Sequence, residues 1–257
     1  MRTMSDLPAG WSLTSAGSVT SSSDLARDFL ASTPARAEGQ AFLAAEQTRG
    51  RGRLGRSWVS RPGDGLYLSV ILEPRRPRSD WPTLSFVTAL AVLQAVEQLC
   101  PPLSLQLKWP NDLLLDGGKL GGLLLETEGE RLIVGIGVNL ANAPEISGAS
   151  HPPTDLASHC QELPAADSLA AQILISLHGL YQLWTSCGPA PLLARWQDRA
   201  GIVGRQLKVR LPDRQLDGIC TGLGPDGRLG LQMADSSHVD ISAGEVQLMG
   251  DSHAARS

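Results

Sequence analysis

Four strand-like stretches, residues 103–109, 113–115, 120–126 and 132–139, follow one another with only short glycine-rich connections between them. A parallel crossover needs a dozen or more residues, so spacing this tight favours antiparallel pairing. Around this block the chain alternates in type. Residues 21–31 read as a helix, with Ser21, Ser22 and Ser23 offering caps and Leu25, Phe29 and Leu30 forming an apolar stripe. Residues 41–46 and 66–72 read as strands, and 81–100, 168–186 and 191–200 as helices. Residues 141–164, with their prolines and histidines, read as a loop. From residue 201 the pattern changes to short alternating strands at 206–211, 216–223, 228–233 and 238–242, separated by turn residues such as Pro225-Asp226-Gly227. The expectation is an α+β chain. Segment 1–200 forms a mixed, largely antiparallel sheet flanked by helices, and segment 201–257 a small C-terminal β-barrel.

Bulk properties narrow the function classes. At 257 residues, 42% hydrophobic, 19% charged and net charge −4, the chain is neither a basic nucleic-acid binder nor an acidic disordered tail. Its longest apolar stretch, 81–99, is interrupted by Thr83, Ser85, Thr88, Gln94, Glu97 and Gln98, so it reads as an amphipathic helix and no membrane span is expected. The first ten residues lack a charged-then-apolar signal pattern. Cys100, Cys160, Cys187 and Cys220 are scattered without a Cys-x-x-Cys, which suits free thiols and a cytoplasmic location. His151 and His159 flank a Pro-Pro loop but have no ligand spacing, so no dedicated metal ligands are expected.

Residues 47–58 read Gln-Thr-Arg-Gly-Arg-Gly-Arg-Leu-Gly-Arg-Ser-Trp. Gly50, Gly52 and Gly55 make a literal Gly-x-Gly-x-x-Gly. A dinucleotide fold requires a helix directly after the third glycine, and Ser-Trp-Val-Ser-Arg-Pro-Gly cannot supply one. Glycines let the backbone curl close to a ligand, and arginine forks suit carboxylate and phosphate. Five arginines (49, 51, 53, 56 and 61) repel one another, so the loop is expected to be mobile alone and ordered by an anion. Taken by itself it is equally consistent with an anion-binding lid, a solvated surface loop or an RNA contact.

Of the 22 basic residues only three are lysines, Lys108, Lys119 and Lys208. Two of the three fall in one short stretch. Lys108-Trp109-Pro110-Asn111-Asp112 sits where a strand meets a turn, and Lys119-Leu120-Gly121-Gly122 opens the next strand. A hairpin here brings Lys108, Asp112 and Lys119 to one end of the sheet. Two ammonium groups and a carboxylate there suit polyphosphate with magnesium; the plain alternative is a hairpin with a charged mouth. Further on, Gly135-Ile136-Gly137-Val138-Asn139 is a strand whose alternating glycines let a ligand or another backbone approach one face.

In this order and spacing, residues 50–58, 108–112, 119–126 and 135–139 resemble the motifs of the bacterial biotin–protein ligase family, in the form without the N-terminal DNA-binding domain. The resemblance runs from about residue 18 to 250. The family's acidic-Ser-Thr-Asn start is replaced here by Thr20-Ser21-Ser22-Ser23. It implies a class II aminoacyl-tRNA-synthetase/biotin-ligase-like sheet and an SH3-like C-terminal module. It also implies an ATP-dependent, AMP-forming ligase that makes biotinyl-5′-AMP and passes biotin to a lysine of the biotin carboxyl carrier protein of acetyl-CoA carboxylase. By resemblance the biotin contacts are Ser21, Ser22, Ser23, Gln47, Gly50, Arg51, Gly52, Arg53, Lys119 and Gly122. The ATP and adenylate contacts are Arg53, Arg56, Trp58, Lys108, Asn111, Asp112, Lys119 and Asn139, and the chemistry falls to Lys119, Arg51, Arg53 and Asp112. Magnesium is expected to arrive with ATP, with Asp112 in reach. Fewer than twenty residues precede the catalytic start, so DNA binding is not expected; an exposed edge strand could pair two copies. The rival readings are a lipoate–protein ligase, which runs the same adenylation, and a non-enzymatic RNA-binding protein.

Overall fold

In the computed structural model, which describes residues 7–33, 36–146 and 150–249, the strand patterns assemble into two sheets. The first six residues, part of the 141–164 loop and the far end of the 201–257 segment lie outside the described residues. The first sheet opens with β1 (Ser12–Val19), α1 (Ser22–Ser32) and β2 (Gln40–Gln47), and β1 pairs parallel to β2. It continues through β3 (Gly65–Leu72), β4 (Leu105–Lys108), β5 (Asp112–Leu115), β6 (Gly118–Glu128) and β7 (Arg131–Asn139), in the spatial order β1-β2-β3-β7-β6-β5-β4. Every pairing from β2 onward is antiparallel, and among β4, β5, β6 and β7 the short connections require it. β1 has no counterpart in the sequence expectation. It is an edge strand of sequence Ser-Leu-Thr-Ser-Ala-Gly-Ser-Val, mostly open to solvent, so little apolar alternation marks it.

The two faces of this sheet have different cover. On one, α1 sets Ala26 and Leu30 against Phe42, Ile71 and Ile133. On the other lie α2 (Leu84–Leu99), α3 (Ala166–Cys187) and α4 (Ala190–Ala200), over a core that includes Leu66, Leu68, Val134, Ile136 and Val138. α2 is not the amphipathic helix that its scattered polar residues suggest. Eleven of its sixteen residues are buried, because sheet, α3 and α4 all pack on it. Thr88 is accommodated inside by donating its hydroxyl to the carbonyl of Leu84 at 2.7 Å. With its preceding turn, Arg78–Leu99 is long and apolar enough to cross a membrane by length and composition, but most of that stretch is buried within the protein's own core.

The second sheet holds β8 (Gln206–Arg210), β9 (Gln215–Leu223), β10 (Leu229–Gln232), β11 (His238–Ile241) and β12 (Glu245–Leu248), all antiparallel, in the order β11-β10-β9-β8-β12. Its buried face, with Leu207, Val209, Cys220, Leu229, Leu231, Ile241 and Val246, belongs to the same core as α2 and α4. Trp109 donates its indole N–H to the carbonyl of Gly227 at 3.1 Å, and the Phe86 ring lies where a Gly227 side chain would stand. Phe86 in turn meets Trp196 edge-on at 5.0 Å. The C-terminal segment is thus a distinct sheet but not an independently packed one. Cutting it away at Gly201 uncovers Phe86, Trp109 and Trp196, each a large apolar surface whose exposure costs about 1.5–3 kcal/mol or more.

The cysteines also depart from expectation. Cys100, at the end of α2, and Cys160 are joined as a disulfide with Cα atoms 5.5 Å apart, leaving Cys187 and Cys220 as thiols. Sixty residues separate the pair, so no local spacing announces it.

Candidate active site

Side chains alternate across a strand, so Gly135 and Gly137 of β7 face the same side as Ile133, the α1 side. They open a bare strip on the sheet there, and functional groups gather at both of its ends.

At the Gly135 end stands a buried hydroxyl cluster. Ser21 caps α1 by accepting from the Ser23 N–H at 3.3 Å. The Gln47 side-chain oxygen accepts from the Ser22 N–H at 2.8 Å and from the hydroxyls of Ser21 and Ser22, both at 3.2 Å. The Ser22 and Ser23 hydroxyls meet that of Ser69 at 2.8 and 3.0 Å. Ser69 was not among the expected site residues. Its signal was the lone serine in the mostly apolar β3, a fully buried hydroxyl that calls for a hydrogen-bond partner.

Two residues along β7, about 7 Å away at strand rise, lies the charged end. β5 sets Asp112 beside Lys108 on β4 and beside Gly122 on β6, so the hairpin places the three residues as its spacing predicts. Lys119 donates to Asp112 Oδ1 at 2.7 Å. The backbone of Lys119 is fixed independently: its N–H donates to the Pro152 carbonyl and its own carbonyl accepts from Thr154, at 2.8 and 3.0 Å. Asn139 braces the same junction, donating to the carbonyls of Thr154 (2.9 Å) and Lys119 (3.3 Å). Burial pushes the Lys108 ammonium below its ordinary range, against the pull of Asp112.

The arginine–glycine loop spans this strip. It closes on itself through Trp58 N–H to Gly50 O (3.0 Å) and Gly52 N–H to Arg56 O (2.8 Å), turning at Leu54 and Gly55, both with positive φ. Gly50 is obligatory, since a Cβ there would stand 2.5 Å from the Trp58 carbonyl. The expected mutual repulsion of its arginines is offset by partners from elsewhere in the fold. Arg51 donates to Asp24 at 2.8 Å, Arg53 to the Asn111 side-chain oxygen at 3.0 Å, and Arg56 forms an ion pair with Glu245 of the second sheet. That pairing holds the Glu245 carboxyl below its usual range. Neither Asp24 nor Glu245 was expected at the site, because each reaches it only through folding.

Trp58 completes the arrangement. Its indole lies on the glycine strip: a Cβ on Gly137 would come within 2.6 Å of the ring, and one on Gly122 within 3.4 Å. The indole N–H is buried without a hydrogen-bond partner. Gly137→Ala is therefore expected to push the indole off its seat, and a displacement of about 1 Å at a reacting site can cost up to about 10²-fold. We expect roughly tenfold weaker binding of the ligand that occupies this strip, and unchanged affinity would mean that the seat is immaterial. Among the described residues no group of three or more His, Cys, Asp or Glu side chains converges as a metal cage.

A hydroxyl–amide cluster and a lysine–carboxylate pair, joined by a glycine floor under an arginine loop, make up the candidate site, and comparison with known proteins places the chain in a family. The model of the biotin/lipoate A/B protein ligase family matches residues 16–141, and that of the biotin protein ligase C-terminal domain matches residues 202–249. The chain is 34% identical over 213 residues to the biotin–[acetyl-CoA-carboxylase] ligase of Mycobacterium tuberculosis, covering 79% of that protein and 81% of this one. It is 36% identical over 214 residues to that of Paracoccus denitrificans, covering 88% of that protein and 79% of this one. The Aquifex aeolicus biotin protein ligase, solved in complex with biotin and ATP, superposes with a TM-score of 0.78 at 26% identity, over 92% of this chain and 97% of that one. The chain belongs to the biotin–protein ligase family.

Proposed function

We propose that this enzyme joins biotin to ATP, releasing pyrophosphate, and transfers the biotinyl group from the adenylate to a lysine of a biotin carboxyl carrier domain such as that of acetyl-CoA carboxylase. The observation that carries this reading is the Lys119–Asp112 pair at 2.7 Å, beneath the arginine loop and one strip of glycines away from the serine–glutamine cluster. Biotin has a ureido group at one end, an apolar body and a carboxylate at the other. Hydroxyls and an amide suit the first, the glycine floor admits the second, and Lys119 meets the third.

The chemistry follows from charge. Carboxylate and triphosphate repel, and Arg53, Lys119 and Lys108 supply the cations that offset this while a carboxylate oxygen is set in line with the α-phosphorus. That oxygen bonds to the α-phosphorus as the bond to pyrophosphate breaks. Magnesium, when bound, would neutralise phosphate charge; its ligands would come chiefly from ATP itself, with Asp112 as the carboxylate at that end of the strip. The carrier lysine then attacks the anhydride carbonyl through its neutral amine, AMP departs, and Asp112 orients the amine or takes its proton. The Arg53–Asn111 bridge keeps the loop over the anhydride and water away from it.

The test is ATP–pyrophosphate exchange with biotin or lipoate as the acid, followed by mass spectrometry of a carrier domain. Exchange and a carrier adduct that both depend on biotin support the reading. Exchange that responds to lipoate and not to biotin, or to neither, would overturn it.

A further inference from the structure

Arg51 resembles a residue that should meet the ligand's anion, yet its charge is already answered from within. It donates to Asp24 Oδ1 at 2.8 Å and approaches Glu126 Oε1 at 3.6 Å. Arg27 of α1 holds the same two carboxylates, Asp24 at 2.9 Å and Glu126 by a direct hydrogen bond, and reaches Glu128 at 3.3 Å. The result is a closed ring of alternating charge, Arg51–Asp24–Arg27–Glu126, in which each carboxylate is shared by two guanidinium groups. Thr20 locks the other oxygen of Asp24 at 2.7 Å. The four members come from three places: the first two turns of α1, strand β6 and the root of the arginine loop.

The side chains of the ring are only about a fifth to a third exposed, so the network is screened less than a free surface pair. Arg51 holds Asp24 below the usual carboxylate range, which agrees with a pair formed across working pH. Glu126 is also the last residue of the stretch beginning at Lys119, so the strand that presents Lys119 presents this anchor as well.

From this geometry we infer that Asp24 and Glu126 are positioning residues for the biotin site: they fix Arg51, and with it the root of the loop, before any ligand arrives. Arg51 then serves as an aimed donor and a hinge pin, and the neutralisation of incoming negative charge falls to Arg53, Lys119 and Lys108. Such pre-organisation lowers the ordering cost of binding and acts on ground-state affinity more than on the chemical step. The inference rests on the biotin-ligase reading for its kinetic arm only.

The experiment uses the full chain with Asp24→Asn, Glu126→Gln and, as the conservative control, Asp24→Glu. Hydrogen exchange is measured over residues 47–58 without ligand, and KM and kcat are measured in biotin-dependent pyrophosphate exchange. Asp24→Asn and Glu126→Gln are expected to speed amide exchange at the loop root in the empty enzyme and to raise the KM for biotin about tenfold. Their kcat stays within about twofold of wild type, and Asp24→Glu restores most of the affinity. A general loss of stability would instead speed exchange throughout and leave KM alone. Wild-type loop exchange and wild-type KM in both neutralising variants overturn the proposal, as does a fall in kcat with KM unchanged. Should Asp24→Asn fail to fold, Glu126→Gln carries the same comparison. If the wild type shows no biotin-dependent exchange, the functional reading fails, while amide exchange in the variants still decides whether the ring holds the loop.

Discussion

Replacing Lys119 by alanine is expected to lower biotin-dependent pyrophosphate exchange by about 10²–10³-fold, the usual cost of removing one donor aimed at developing negative charge in a shielded site. The fold should survive. The side chain is a third exposed, and the strand at this point is held by backbone hydrogen bonds to Pro152 and Thr154 that do not involve the ammonium. Truncation also leaves Asp112 without its partner at 2.7 Å, so the loss contains a second contribution from a carboxylate that now repels phosphate. Lys119→Ala with an unaltered thermal melt and nearly normal exchange activity would remove this residue from the mechanism. Comparison with Asp112→Asn separates the two contributions, because that variant removes the repelling charge and keeps the ammonium.

Arg53→Gly should make the enzyme leak its activated intermediate. Arg53 is the loop's link to the opposite side of the strip, donating to Asn111 at 3.0 Å, while Asn111 is itself held by donating to the Leu123 carbonyl at 2.7 Å. A hydrogen bond involving a charged group contributes about 1.5–3 kcal/mol, which corresponds to roughly a tenfold to hundredfold shift toward the open loop at 1.4 kcal/mol per decade. Arg51 and Arg56 remain tied to Asp24 and Glu245, so the loop opens from its middle and does not come away altogether. An escaped adenylate is still an acylating agent and will react with any neutral amine it meets. Incubation with biotin, ATP and an unrelated lysine-rich protein is the measurement. Biotin on the bystander is expected with Arg53→Gly and not with wild type, and equal labelling by both would show that the bridge does not retain the intermediate.

Much of this site was legible in the chain because its parts are local. The six residues between Asp112 and Lys119 are right for a hairpin, and a hairpin brings the two onto neighbouring strands at one end of the sheet. The glycines at 135 and 137 can only mean a bare strand face, and the irregularity of 47–65 follows from its glycines and Pro62. What was illegible is what depends on distant segments. The acids that hold the loop arginines lie on α1, β6 and β12, up to 189 positions away in the case of Glu245. No periodicity encodes such complementarity. The same reason hides the Cys100–Cys160 link and the fusion of the two cores at Phe86, Trp109 and Trp196. The amphipathic reading of residues 81–99 failed because a helix enclosed by a sheet, two helices and a second sheet keeps little solvent face beyond Gln94, Glu97 and Gln98 near its end.

The seat of Trp58 on the glycine strip equips the enzyme with an optical reporter. Of its six tryptophans, Trp11, Trp81, Trp109, Trp184 and Trp196 lie in the core with at most 9% of their surface exposed, where their emission should be indifferent to ligand. Trp58 alone rides on the arginine–glycine loop, half-buried, with its N–H unclaimed by the protein. A base or acyl chain arriving on the strip must either displace the ring or stack against it, and both change the polarity around one fluorophore in six. Intrinsic emission should therefore follow the loop in real time without a label. A Trp58→Phe enzyme should lose that signal, and an undiminished ligand response in it would assign the signal to the core.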